Sequence, residues 1–279
     1  MLGQHPELYA TPELGAFVAD RLADLGDRLP EGRHGLLRTL AQLYTGEQTL
    51  ESIDTARRWL GRRATWTPEA LYQEICRRIA PLILVDRCIH YTDPQRPALL
   101  QRLAAAHPDA GYIHLVRHPF AQCRSWLQDP QAIQQLARLG SLDPAADPGT
   151  IDPQFDWLRR HAGILAFLQD VPEQHRYRLL AEDLLETPAD SLRGLCRWRG
   201  IDCSLPTLEA MLHPEHSPYS RPGPYGAEFG FSRTFLQAPG YRHASRPPLS
   251  LRQSLPWRQD GKGFVPEVIE LAQRLGYTD

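Results

Sequence analysis

Residues 112–127 read "YIHLVRHPFAQCRSWL". Tyr112 to Val116 form a short apolar run without strict alternation, which suits a parallel strand covered on both faces. His118-Pro119 ends the run, because proline cannot donate to a ladder and biases the preceding residue away from helix. Pro119 suits the first position of a helix, expected over 119–128 and carrying Ser125. In open α/β sheets ligands bind beyond the carboxyl ends of strands, which is where Arg117 falls. A guanidinium there and a hydroxyl eight residues later offer two donors to a phosphate or sulfate. A structural ion pair for Arg117 and plain packing for Ser125 are the competing readings.

Working outward, "LILVD" (82–86) and "YRLLA" (177–181) are runs of the same kind. Helical patterns lie at 94–106, 119–128 and 153–169, and strand–helix–strand succession predicts a doubly wound α/β sheet flanked by helices. Upstream the texture is helical. Thr11-Pro12-Glu13 supplies a cap, an N1 proline and an early acid before Leu14, Phe17, Val18, Leu22 and Leu25. Further helices are expected at 35–45, at 50–62, after Thr67-Pro68-Glu69, at 188–199, near 205–212, and at 264–275. The segment 141–153 reads as a surface loop. The proline- and glycine-rich stretch 213–248 reads as a lid or substrate loop within one domain spanning 1–279.

The chain has 279 residues, 42% of them hydrophobic, enough for a substantial core. Its formal charge of −2 excludes a nucleic-acid binder working through bulk electrostatics. Lys262 is the single lysine against thirty arginines, so arginine by itself is not read as function. Arg57, Arg58, Arg62 and Arg63 around Trp59 are either a solvated helix face or a dock for an acidic partner. Cys76, Cys88, Cys123, Cys196 and Cys203 lack metal-ligand spacing and read as free thiols of a cytoplasmic protein. No apolar run reaches a membrane span, and no signal peptide is visible.

The 112–127 segment resembles the 3′-phosphate-binding stretch of sulfotransferases that use 3′-phosphoadenosine 5′-phosphosulfate (PAPS). Three more stretches fall in that family's order: "HPELYATPEL" (5–14), "LILVDRCIHY" (82–91) and "YRLLAEDLLETPADSLRGLCRWRGID" (177–202). "LPWRQDG" (255–261) is a weaker echo of a Trp-basic pair. Among subgroups the chain looks nearest to bacterial polyketide-assembly-line sulfotransferases. The resemblance implies a P-loop-NTPase-like sheet and transfer of a sulfuryl group from PAPS to a hydroxyl, without a metal. Arg117 and Ser125 would hold the 3′-phosphate of PAPS or of the desulfated product PAP. Trp257 and Arg258 would touch the nucleotide, and Lys262 is a lesser phosphate candidate. Glu13 stands where relatives place a catalytic base, Arg87 would stabilise the transferring group, and His90 is an acid/base candidate by its pKa. His114 reads as a core histidine, and Glu182-Asp183 as acceptors for backbone donors. The acceptor would be a small molecule, a glycan or an acyl-chain alcohol, possibly carried on a protein. Tyr219, Tyr225, Phe229, Phe231 and Phe235 suggest an apolar or extended one.

The sequence also departs from the family. The usual Asp-Lys-Ser/Thr-Pro-x-Tyr is here Asp86-Arg87-Cys88-Ile89-His90-Tyr91, the aromatic before Glu-Asp-Leu is Ala181, and a histidine often found after the Pro-Glu-Leu motif is Gly15. The 5′-phosphosulfate loop, Gly-x-x-Arg-Ser-Gly-Thr-Thr after a first strand, does not occur in these residues. "MLGQHP" (1–6) resembles the end of that loop's helix. The expectation is that Met1 is internal and that roughly 20–40 residues, room for strand, loop and helix, precede it. The alternatives are an inactive, shortened binding module and a P-loop-type small-molecule kinase.

Overall fold

The computed structural model describes residues 1–28, 33–143, 149–245 and 249–278. The chain divides into two compact units. The first comprises Met1–Tyr91, Ala98–Pro108 and Leu192–Arg242, the second Thr92–Pro97, Asp109–Ser191 and His243–Asp279.

In the first unit, β1 (Leu8–Ala10) runs parallel to β2 (Ile83–Val85), with Leu8 opposite Ile83 and Ala10 opposite Val85. In the second, β3 (Tyr112–Val116) runs parallel to β4 (Arg176–Leu180), with Tyr112 opposite Arg176 and Val116 opposite Leu180. The class is therefore α/β with short parallel sheets flanked by helices. The described pairings form two two-stranded sheets, not one continuous doubly wound sheet. Coverage on both faces also fails for β3: His114 and Val116 are buried, whereas Ile113 and Leu115 are 36% and 49% exposed. The helix Gln154–Gln169 supplies Trp157 and His161 to the buried face only.

Most helices fall where periodicity and caps placed them. Thr67 Oγ1 accepts from Ala70 N ahead of Pro68–Ile79, and Thr49 with Ser52 closes a capping box on Leu50–Gly61. His118 caps Pro119–Trp126 by accepting from Phe120 N, and Gly276, at φ 108°, ends Pro266–Leu275. The core of the first unit gathers Leu14, Phe17, Leu36, Leu40, Ile53 and Leu71; that of the second Val116, Trp157, Leu251, Val268 and Leu271. No described helix is long and apolar enough to cross a membrane, and all five cysteines are free.

The helix expected from Thr11 is absent. Ala16–Val18 and Leu22–Asp24 are single 3-10 turns, and Arg21, just before the second, is extended. Tertiary partners have taken the amides that a Thr11 cap would satisfy: Glu13 N donates to Gly230 O and Leu14 N to Asp86 Oδ1, while Thr11 N donates to Val85 O. Gly15, at φ 62° and ψ 8°, then turns the chain through the left-handed region, which disfavours the histidine common there in relatives.

The stretch 213–245 is pinned rather than loose; residues 246–248 of the predicted lid lie outside the described residues, as do 144–148 of the predicted surface loop. Arg38 is 1% exposed and organises it. Its guanidinium donates to the carbonyls of Phe229 (3.1 Å), Tyr219 (3.3 Å) and Arg221 (2.6 Å) and to Gln48 Oε1 (2.7 Å). Burial lowers its pKa to about 10, so the cation persists at neutral pH, held by carbonyl dipoles instead of a carboxylate. Tyr219 is fully buried with its hydroxyl 2.7 Å from that of Tyr9, which removes it from the proposed acceptor-lining set. The arginine-rich helix is likewise occupied: Arg57 pairs with Asp54 and donates to Gly226 O, and Arg63 lies over Trp59 and Trp66.

Candidate active site

Two groups of predicted residues are built by the two units. In the first unit β2 ends at Val85, and the chain leaves it through Asp86 and Arg87. Arg87 Nη2 donates to Glu13 Oε1 at 2.8 Å, so the two residues proposed for the reacting centre form an ion pair. Arg87 is mostly exposed and Glu13 largely covered. Burial raises the Glu13 carboxyl above its ordinary value; the Arg87 cation opposes that rise and the Asp86 charge adds to it.

Backbone contacts fix Glu13 as firmly as its side chain. Gly35 lies so close that a Cβ there would come within 2.2 Å of Glu13 O. Gly230, at φ 113°, abuts Gly35 and Pro12 while accepting from Glu13 N. Beneath lies Asp86, which accepts from Leu14 N at 3.2 Å and from the hydroxyl of Tyr72, itself 3.0 Å from that of Tyr91. Burial raises the Asp86 carboxyl, and the bonds from Tyr72 and Leu14 hold the rise in check. His90 sits in the 3-10 turn Ile89–Thr92 beside Tyr91, partly exposed.

In the second unit the main chain around Arg117 is clamped from both sides. Trp157 Nε1 donates to Arg117 O at 3.2 Å. The next amide, His118 N, donates to Glu182 Oε1 at 2.8 Å, and Tyr277 donates to the other Glu182 oxygen at 2.7 Å. Glu182 thus satisfies a backbone donor, as its reading from sequence had it. The Arg117 side chain is exposed and, among the described residues, makes no ion pair. Ser125 stands half-buried in the helix that begins just beyond. His114 is the core histidine expected, with Nε2 2.9 Å from His161 Nδ1. Burial lowers the pair to about 4 and about 3, so both rings are neutral.

Trp257 packs its ring on Phe120 at 5.5 Å and donates to Asp152 Oδ1. Arg258 meets Asp152 at 2.9 Å, Asp260 at 2.7 Å and Asp143 at 3.6 Å, with its side chain 6% exposed. Hydrogen bonding to Asp260 raises its pKa further, and three carboxylates leave little net positive charge for a phosphate. Lys262 is exposed and 3.8 Å from Asp260.

A family model described as "Sulfotransferase family" matches residues 1–204. The chain belongs to the sulfotransferase family. Two solved structures share the fold of this sulfotransferase. The sulfotransferase domain from the curacin biosynthetic pathway has a TM-score of 0.75 at 22% identity, over 99% of this chain and 91% of that one. The sulfotransferase domain from the Synechococcus PCC 7002 olefin synthase has a TM-score of 0.69 at 21% identity, over 100% of this chain and 88% of that one. No curated protein matches this sulfotransferase by sequence.

Reading the sequence missed Arg38, Asp152 and Tyr72. Asp152 stood in a stretch read only as loop, and Tyr72 was not singled out in the helix expected after Thr67-Pro68-Glu69. Nothing in the spacing around Arg38 distinguishes it from the other arginines.

Proposed function

We propose that this sulfotransferase takes PAPS as donor and passes its sulfuryl group to the hydroxyl of an organic acceptor. The observation that carries the proposal is Arg117: its backbone is clamped by Trp157 and Glu182 while its guanidinium stands open at the end of β3. A preordered cation at a strand end, followed by a helix bearing Ser125, suits a phosphate that is bound without reordering the chain. Arg117 and Ser125 take the 3′-phosphate of the nucleotide. Trp257 offers a ring face nearby in sequence to Arg258, whose carboxylate partners make it a strut for that segment rather than a phosphate ligand.

PAPS supplies a sulfuryl group on a stable leaving phosphate. Glu13 accepts the acceptor hydroxyl's proton as the new O–S bond forms and the bond from sulfur to the 5′-phosphate oxygen breaks. Its raised pKa makes it a stronger base than an exposed carboxylate. Arg87 orients Glu13 and offers fixed positive charge to the oxygens of the moving group. An arginine in place of the usual lysine keeps the charge but cannot donate as a compact point. His90 is a lesser candidate for contact with the acceptor.

A second reading, a nucleotide-binding module without transfer, is favoured by one observation: these 279 residues contain no Gly-x-x-Arg-Ser-Gly-Thr-Thr stretch for the 5′-phosphosulfate. Calorimetric titration with PAP, paired with an assay of labelled sulfuryl transfer from PAPS, separates the two. Saturable PAP binding that Arg117→Ala weakens at least tenfold, together with transfer, supports the first reading. Binding without transfer supports the second, and no PAP binding overturns both.

A further inference from the structure

In the first unit, a single tight turn collects three side chains of metal-binding type. His213, Glu215 and His216 each place one ligating atom within 4.8 Å of the other two. The two imidazoles lie nearly parallel, 15° apart with centroids at 5.2 Å, and His213 Nδ1 is 2.8 Å from Glu215 Oε1. The second carboxylate oxygen, Glu215 Oε2, is shielded from solvent and accepts no hydrogen bond. The hydrogen bond from His213 holds the Glu215 carboxyl below its ordinary value, so it is ionised, with one oxygen left to take a further ligand.

The turn is preorganised. Pro214 fixes one φ, His216 N donates to His213 O at 3.0 Å, and Ser217 N donates to Pro214 O at 3.2 Å. Ser220 Oγ donates to Glu215 O at 2.8 Å, and the flanking Met211 and Tyr219 are fully buried. The ligands therefore need little reordering to close on an ion.

We propose that His213, Glu215 and His216 form a structural binding site for a borderline divalent transition cation, zinc in particular, at the head of the segment that Arg38 pins. Two imidazole nitrogens and one carboxylate oxygen suit zinc and leave a fourth position for water. Calcium and magnesium, which favour all-oxygen cages, are the wrong size and hardness for the set. The proposal uses none of the residues assigned to the sulfuryl chemistry and does not depend on it.

The test is calorimetric titration of chelator-stripped protein with zinc chloride at pH about 7.5, with Co2+ absorption as an independent readout. The wild type is expected to bind one equivalent at this site and to melt at a higher temperature with zinc. His213→Ala/His216→Ala is expected to lose that equivalent and the shift, and Glu215→Gln to weaken binding at least tenfold. Because the two histidines are exposed, the variants should keep the wild-type circular dichroism spectrum. His213→Gln/His216→Gln, which keeps polar side chains of similar reach, serves if the alanine pair does not. Absence of saturable binding up to about 1 mM zinc, or the same affinity in the double variant, overturns the proposal.

Discussion

The carboxylate of Glu13 and the guanidinium of Arg87 meet at 2.8 Å across 74 positions of chain. Each arrives by a different route: Glu13 on an extended segment stitched to Gly230 and Asp86, Arg87 on the exit of β2. Their meeting puts a carboxyl of raised pKa beside a cation, the pairing that the proposed in-line transfer calls on.

The pair makes a signed prediction about pH. With Glu13 as the proposed base, its ionised carboxylate is the active form, so the transfer rate should rise with pH through the Glu13 pKa. Arg87→Ala removes the cation that favours ionisation, and the rising limb should move to higher pH. Asp86→Asn removes a like charge but keeps an oxygen for Leu14 N, and the limb should move lower. Glu13→Gln should reduce the rate about 10²–10⁴-fold with PAP affinity unchanged. Rate–pH profiles from about pH 5 to 9 check all three.

Arg117→Ala should weaken PAP binding by about 1.5–3 kcal/mol, roughly 10- to 100-fold, as expected for a lost charged hydrogen bond. Ser125→Ala should lose less, about 1 kcal/mol, because a neutral hydroxyl leaves. Calorimetry with PAP reads both directly. Equal affinity in Arg117→Ala would move the phosphate elsewhere.

Gly35→Ala sets two effects against each other. Alanine improves helix propensity by about 1 kcal/mol. Its Cβ, however, would come within 2.2 Å of Glu13 O, and overpacking against backbone costs about 1–3 kcal/mol. The clash should win, lowering the melting temperature and impairing transfer more than PAP binding. Unchanged stability would mean that the Glu13 backbone has room to move.

Arg38→Met should be severe. It strips donors from the carbonyls of Tyr219, Arg221 and Phe229, and each buried acceptor left alone costs about 1–3 kcal/mol. A loss of about 3 kcal/mol or more in urea unfolding is expected, with new proteolytic cuts within 213–242.

The His114–His161 pair should make the second unit acid-sensitive. Both folded values lie below the ordinary 6.5, so the unfolded state takes up protons first as pH falls. The stability these rings contribute is full above about 6.5 and drains away toward about 4 and then 3. Replacing His161 with Gln, which cannot titrate, should flatten denaturation midpoints measured across that window. Glu13 works in the opposite sense, since its raised pKa favours the folded state on the acid side.

Much of this was legible in the sequence because the signals were local. The run Tyr112–Val116, the His118-Pro119 break and the threonine caps act within a few residues, and those elements stand where expected. Thr11-Pro12-Glu13 carried an equally good local helix signal and misled, because Val85, Asp86 and Gly230 claimed the backbone donors from far along the chain. The same distance hid β1: three residues make no periodic pattern, and only pairing with β2 defines the strand. Glu13 and Arg87 were each proposed for the reacting centre, Glu13 as a base and Arg87 beside the transferring group, with no sign that they would pair. The ion pair with Glu13 follows from the parallel register of β1 and β2, which no local pattern reveals. Arg258 illustrates the converse. Beside a tryptophan it resembled a ligand contact, and Asp143 and Asp152, more than a hundred positions upstream, neutralise it.

The pairing of β3 with β4 alone has a colloidal consequence. β3 bonds to a single described neighbour, and Ile113 and Leu115 stand exposed on it. A strand whose second flank has no partner among the described residues, and which exposes apolar side chains, is a template for any extended polypeptide that drifts alongside. Purification yield and shelf life of this protein should therefore turn on concentration and on contact with other unfolded chains. A charged residue at position 113 should prolong its monodispersity more than any change made to its core.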